Sequence, residues 1–202
     1  MTKVYDQAYF ARWYGRPGTH SPAALARKVA LAVAAAEYYL QRPIRSVLDV
    51  GCGEGRWRAP LLKLRPGLRY QGLDSSEYAV RRFGRARNIG LATFGQMAEL
   101  RLGQPADLLV CADVLHYVPD AELARGLTGF GELCDGVAFI EVYTKDDAIA
   151  GDLRGFLPRR ADWYRRRFAA AGWRACGSHL YLSPHLARHA AALEAMPAAG
   201  KR

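Results

Sequence analysis

The sequence predicts an α/β domain in which a mostly parallel sheet of six or seven strands carries helices on both faces. Three observations carry that expectation. Short apolar runs alternate with longer stretches of helical periodicity, the pattern of strands joined by crossover helices. The 202 residues are 50% hydrophobic, enough for one core, and no Ser/Gly/Pro-rich linker divides residues 1–202. Finally, Val47 to Trp57 runs from a β-branched strand through Gly51, Gly53 and Gly55 into a helical stretch. Such a turn lets a ligand reach the backbone where a side chain would collide. A helix starting there would bring free N–H groups to the same spot.

Taken in order, Tyr5 to His20 is rich in aromatics, and Tyr9, Phe10, Trp13 and Tyr14 stand at helical spacing. We read 1–42 as an N-terminal helical lid region, hinged by Gly15, Pro17 and Gly18. Ser21-Pro22 is a helix-start signal, a capping hydroxyl followed by proline. Leu25, Val29, Val33 and Leu40 then mark the buried face of a helix from Pro22 to Gln41. Pro60 should disturb the first turns of the helix after Gly55. A second strand, Arg69 to Leu73, ends at Asp74, and Ser75 or Ser76 caps a helix burying Ala79, Val80 and Phe83. Strand candidates follow at Ile89–Phe94 and Ala106–Cys111, and Pro119 opens a helix with Leu123, Leu127 and Phe130 inward. Asp135-Gly136 reads as a turn before a strand from Val137 to Tyr143. The stretch from Tyr143 to Arg160 is polar and loop-like, Asp162–Ala171 is a helix ended by Gly172, and Arg174–Leu182 is one strand. Ser183-Pro184 leads into a helical Leu186–Met196, so 184–202 is a C-terminal helix and tail.

The glycine turn is not a dinucleotide fingerprint, because Arg56 stands where the third glycine is needed to pack helix on strand. No Gly-Lys-Ser/Thr follows, which excludes a phosphate loop. Asp49, two places before the first glycine, would repel a pyrophosphate and suits a cationic ligand. Asp74 lies 23 residues beyond Gly51 (74 − 51), near the roughly 20-residue offset at which an acid reaches ribose hydroxyls.

Asp49-Val50-Gly51-Cys52-Gly53-Glu54-Gly55, Asp74, Gly95-Gln96-Met97-Ala98 and Ala112-Asp113-Val114-Leu115-His116-Tyr117 stand in that order. Together they resemble the motifs of the class I S-adenosylmethionine-dependent methyltransferases, over roughly Arg45 to Tyr143. The resemblance implies a Rossmann-like, doubly wound fold with S-adenosylmethionine as cofactor, S-adenosylhomocysteine as product and no metal. It places Asp49, Gly51, Cys52, Gly53, Asp74, Ser75, Gln96, Met97 and Ala112 at the cofactor, with Asp74 on the ribose and Gln96 toward the adenine amine. It also implies a methyl acceptor that is a small molecule reacting at oxygen or nitrogen. Near it we expect Trp13, Tyr14, His20, Tyr117, Tyr143 and Arg160, with 144–162 as the acceptor-site loop. The family normally closes its sheet with an antiparallel hairpin, whereas the helical reading of Leu186–Met196 leaves six strands or an unusual seventh.

In-line methyl transfer needs a general base only when the acceptor must lose a proton. His116 is the candidate, since ligands collect at the carboxyl ends of strands in open α/β sheets; a supporting or helix-capping role is the alternative. His179, His185 and His189 read as structural. The net charge of +10 rests on 24 Arg and five Lys and is mostly diffuse. Only Arg154, Arg159, Arg160, Arg165, Arg166 and Arg167 cluster, either as a solvated helix face or as a surface for an anionic acceptor or a nucleic-acid backbone. A nucleic-acid methyltransferase is the less favoured reading, because neither an Asn/Asp-Pro-Pro-aromatic motif nor a Pro-Cys is present. A non-catalytic cofactor-binding partner subunit is the third. Cys52, Cys111, Cys134 and Cys176 have no metal-ligand or disulfide-like spacing, and the longest apolar run, Val29–Ala36, is too short to span a bilayer. With no signal-peptide core near Met1, a cytoplasmic location is expected. Nothing in the pattern sets an oligomeric state.

Overall fold

The computed structural model describes residues 5–14, 21–149 and 151–196. In chain order its helices are α1 (Gln7–Tyr14), α2 (Pro22–Leu40), α3 (Arg58–Leu64), α4 (Glu77–Arg87), α5 (Asp120–Leu133) and α6 (Ala161–Ala170). Its strands are β1 (Ser46–Val50), β2 (Arg69–Asp74), β3 (Ile89–Leu91), β4 (Ala106–Ala112), β5 (Cys134–Glu141), β6 (Arg174–Gly177) and β7 (Leu180–Leu182).

Alternation along the central strands builds two cores. Leu48 and Val50 of β1, Leu109 and Cys111 of β4, and Ala138 and Ile140 of β5 face α5 and α6, meeting Leu127, Phe130 and Phe168. The intervening Val47, Leu108, Val110, Val137 and Phe139 face α2 and α3, meeting Val29, Val33 and Leu61. Strands buried on both faces read as continuous apolar runs, which is why β4 is legible as Ala-Asp-Leu-Leu-Val-Cys-Ala.

The seven strands lie in the order β3-β2-β1-β4-β5-β7-β6. β1 to β5 pair in parallel, β7 runs antiparallel to β5, and β6 antiparallel to β7. The chain winds outward in opposite directions from β1 and β4, and a crevice opens above their carboxyl ends, where open α/β sheets bind ligands. α2 is capped as expected, with the Ala24 N–H donating to Ser21 Oγ and Pro22 in its first turn. Lys28 of α2 reaches both carboxylate oxygens of Glu141 at 2.6 and 2.7 Å, tying that helix to the end of β5. At the opposite end of the sheet, Arg42 pairs with Asp107, whose carboxylate also accepts the Arg45 N–H.

Several sequence boundaries need correction. Residues 174–182 form two strands, not one: they turn at Ser178-His179, with His179 at φ +60°, and this hairpin supplies the seventh strand. Leu186–Met196 is not a helix; only Leu186–Arg188 makes a 3₁₀ turn. β5 begins at Cys134, so Asp135-Gly136 lies inside a strand. Gly136 is required there because a Cβ would sit 1.9 Å from the Asp107 carbonyl, beside a register shift in the β4–β5 ladder. β3 stops at Leu91, and Phe94–Ala98 forms a 3₁₀ turn instead of extending it. In α4, Ser76 is the cap, and Ala79 alone of the three expected residues is fully buried. Pro60 is accommodated in the first turn of α3, where its missing N–H has no intrahelical partner to lose.

Candidate active site

The turn after β1 is held from the neighbouring strand. Gly51 and Cys52 donate their backbone N–H groups to the Leu73 carbonyl at 2.7 and 3.1 Å. One oxygen of the Asp74 carboxylate accepts the Gly53 N–H at 2.7 Å and the other accepts the Ser76 N–H at 2.8 Å. Burial pushes the Asp74 carboxyl above its ordinary range, and those two N–H donors pull the other way. Gly51, Gly53 and Gly55 all have positive φ, at +70°, +54° and +71°. A Cβ at Gly51 would lie 2.4 Å from Val114, and one at Gly53 would lie 2.4 Å from the Tyr14 hydroxyl. α3 starts at Arg58, three residues past Gly55, so Asp74 and the Leu73 carbonyl fix the glycine loop, not the helix start expected there.

Above this turn lies a cavity of about 850 Å³. One wall is Gly51, Gly53, Asp74 and Ser75, continuing to Ala92, Thr93 and Phe94. Asp113, Val114 and Tyr117 form the floor beyond β4, Tyr5, Tyr9, Phe10 and Tyr14 roof it from the N-terminal segment, and Gly155 and Leu157 reach in from the 144–162 loop. That loop is pinned to the floor, as Leu157 donates to the His116 carbonyl at 2.8 Å and the Tyr117 hydroxyl to the Asp152 carbonyl at 2.6 Å.

Several residues picked from sequence stand elsewhere. Asp49 shares the strand face of Val47, so its carboxylate turns toward α3 and accepts the Tyr70 hydroxyl at 2.7 Å, outside the cavity. Burial pushes that carboxyl up to about 7, against the Tyr70 hydrogen bond, with Asp74 adding to the rise. Cys52 is buried beside Gly72, and burial raises its thiol. Gln96 is exposed, and its side-chain carbonyl is taken by the Thr93 N–H at 2.8 Å in a capping box, so it does not face the cavity. Met97 is wholly buried in the core and Ala112 packs on the α2–α3 side. Their places on the cavity wall are taken by Thr93 and Phe94, and by Asp113 and Val114. The 3₁₀ turn moves the first pair to the edge, and reading β3 as longer concealed them. Trp13 and Tyr143 do not line the cavity, and His20 lies outside the described residues.

His116 is fully buried, with Tyr117, Tyr143 and Phe156 around its ring at 4.2, 5.5 and 5.6 Å. Its Nδ1 accepts the Tyr143 N–H at 3.4 Å, which assigns the proton of the neutral ring to Nε2. Nε2 lies 3.3 Å from Asp113 Oδ1, yet off the line of a hydrogen bond, and has no other partner. His116 therefore faces the back of Asp113 and not the cavity. Asp113 is the one of the two that lines the cavity; it is half exposed and sits at φ +64°, a conformation uncommon for a residue with a side chain.

The basic cluster divides. Arg159 is buried and donates to the carbonyls of Leu115 and Val118 at 3.1 and 2.6 Å and to Asp120. Arg160 is exposed and pairs with Asp162, which also pairs with Arg166, and Arg167 lies over Trp163. None of these lines the cavity, so Arg160 is corrected from an acceptor contact to a helix-start ion pair. No group of three or more metal-ligating side chains occurs among the described residues, and none of their helices is long and apolar enough to cross a membrane.

A seven-stranded sheet with one reversed hairpin, and a glycine turn braced by an acid on the next strand, define a class I methyltransferase fold. The sequence agrees: the family described as "Methyltransferase domain" matches residues 48–135, from β1 to the start of β5. No curated protein sequence matches. Among solved structures, the sugar N-methyltransferase KedS8 from Streptoalloteichus sp ATCC 53650 is 20% identical, with a TM-score of 0.63, over 90% of this chain and 92% of that one. The aminopentose methyltransferase CalS10 from Micromonospora echinaspora, solved with S-adenosylmethionine, is 18% identical with a TM-score of 0.63, over 90% and 98% of the two chains. The magnesium protoporphyrin IX methyltransferase of Synechocystis PCC 6803, solved with S-adenosylhomocysteine, is 18% identical with a TM-score of 0.61, over 88% and 92%.

Proposed function

We propose that the chain is a methyltransferase that binds S-adenosylmethionine over the Gly51–Gly55 turn and methylates oxygen or nitrogen of a small molecule. The observation that supports it best is the pairing of a side-chain-free turn with the Asp74 carboxylate at one end of an 850 Å³ cavity. The residues present fit the cofactor. Gly51 and Gly53 leave backbone accessible, and Asp74, whose oxygens each accept one backbone N–H, keeps further lone pairs for ribose hydroxyls. Thr93 and Phe94, in place of Gln96 and Met97, are the wall for the base. When bound, S-adenosylmethionine supplies an activated methyl group.

The protein's own part is to orient and to exclude water. The aromatic roof of α1 and the 144–162 loop act as lid and acceptor wall, covering the cavity from two sides. Holding two reactants in line is worth roughly 7–11 kcal/mol of barrier. A base could add about 10²–10⁴-fold where a proton must leave. Asp113, backed by His116, is the group placed for that role. The free thiols of Cys52, Cys111, Cys134 and Cys176 agree with a reducing, cytoplasmic setting.

Incubation with methyl-labelled S-adenosylmethionine and fractionated metabolite extracts tests the activity. Label should enter a small-molecule fraction. Label entering only RNA would favour the nucleic-acid reading, and binding without any transfer would favour a partner subunit.

A further inference from the structure

We propose that the acceptor is an amine, held as a cation by Asp113 among the rings of Tyr5, Tyr9 and Tyr117; this rests on the methyltransferase reading and narrows it to one substrate class.

The chain carries a net charge of +10, but its cavity does not share that sign. Among the described residues the lining carboxylates are Asp6, Asp74, Glu77, Asp113 and Glu122, against a single cation, Arg81. Three of these acids have local work. Asp6 accepts the Tyr9 N–H at the start of α1, Asp74 holds the glycine turn, and Glu122 accepts the Gly95 N–H. Asp113 differs: its carboxylate is half exposed, and its close polar neighbour is the buried His116 Nε2, which lacks a hydrogen-bond partner of its own.

The surroundings of Asp113 suit a positive ligand. Tyr5 and Tyr9 stack edge to face at 5.0 Å, and with Tyr117 they line the same cavity. Burial raises all three hydroxyls above their ordinary range, and Asp113 and Asp152 act on each through space. Neutral phenol rings beside carboxylates attract a cation through both ring faces and charge. An anionic acceptor would meet these carboxylates against Arg81 alone among the described residues, because Arg160 and Arg159 are engaged elsewhere. A neutral alcohol would leave Asp113 with no charge to balance. The bound ammonium first passes one N–H proton by way of Asp113 to water, which frees the nitrogen lone pair. That nitrogen then displaces S-adenosylhomocysteine from the methyl carbon and becomes an ammonium again, so Asp113 faces positive charge before and after the reaction.

The test uses the full-length protein saturated with S-adenosylhomocysteine, titrated by NMR with benzyltrimethylammonium, benzyl alcohol and benzoate. Tight binding of S-adenosylhomocysteine, measured first, checks the parent reading; its absence overturns both. We expect the quaternary ammonium to bind best and to shift signals of the tyrosine cluster. Asp113→Asn, titrated at saturating S-adenosylhomocysteine, should weaken it about tenfold or more, as expected for a lost charged partner. Equal or stronger binding of benzoate or benzyl alcohol, or unaltered ammonium binding in Asp113→Asn, overturns the amine assignment and leaves the methyltransferase reading standing.

Discussion

The Asp74 carboxylate, at the tip of β2, accepts the backbone N–H of Gly53 at 2.7 Å, so one strand holds the ligand turn of its neighbour. The acid proposed to touch a ribose is thereby also the brace of the glycine loop. Changes at either end of this bond should be felt at the other.

Gly51→Ala and Gly53→Ala test the turn. A left-handed backbone costs a residue with a Cβ roughly 1–2 kcal/mol, and at Gly51 the Val114 side chain adds a 2.4 Å collision. Both variants are expected to melt earlier, with Gly51→Ala the worse, and to lose S-adenosylhomocysteine affinity in calorimetry. Wild-type melting and affinity in Gly51→Ala would remove the need for a bare turn.

Tyr14 tests the roof, since its hydroxyl rests over Gly53. On the proposed lid role of α1, Tyr14→Ala should speed both association and dissociation of S-adenosylhomocysteine, read by stopped-flow fluorescence. Unchanged rates would make α1 a fixed wall and not a lid.

Asp49 makes stability depend on pH. Its buried carboxyl titrates at about 7 when folded, against 3.8 ordinarily, so in that window the native state keeps a proton the unfolded chain has lost. Stability is then lost as pH rises through the window, by up to about 1.4 kcal/mol per pH unit, and the loss is complete above it. Asp49→Asn removes this contribution while its carbonyl can still accept from Tyr70. In urea unfolding the variant's advantage over wild type should grow between about pH 4 and 7 and level off above that, reaching a few kcal/mol. A difference that does not vary with pH would show that Asp49 titrates normally.

Arg159 tests the floor. It donates to the Leu115 and Val118 carbonyls on either side of His116 and Tyr117. Arg159→Leu should cost about 1.5–3 kcal/mol in urea unfolding, the worth of bonds to a charged group. Arg159→Lys should recover only part, as one ammonium cannot span the same acceptors. A neutral Arg159→Leu would return this residue to the solvated surface.

The parallel core was legible because strands buried on both faces advertise themselves as apolar runs, and because Ser21-Pro22 and Gly172 punctuate helices clearly. The hairpin at 178–179 was not, although Gly177, at φ +155°, stands beside it, because the tight left-handed turn itself falls on His179, a residue that does not announce one. At the site, Gly51, Gly53, Asp74, Ser75 and Tyr117 could be picked by motif, and all line the cavity. Asp49 could not be placed without its strand parity, which turns it toward Tyr70. Asp113 was hidden beside His116: a histidine draws attention in sequence, whereas only the fold shows which of two neighbours is buried. Gln96 was hard to place for a related reason, because its side chain closes a local capping box with Thr93.

Calorimetric titration of S-adenosylhomocysteine into wild type, Asp74→Asn and Asp74→Ala addresses the central claim most directly. Wild type should bind at one site, and each variant should bind roughly 10- to 150-fold more weakly, the loss of about 1.5–3 kcal/mol expected for a bond to a charged group. No heat with wild type, or equal affinity in all three, would contradict the assignment of this turn and its acid to a nucleoside cofactor.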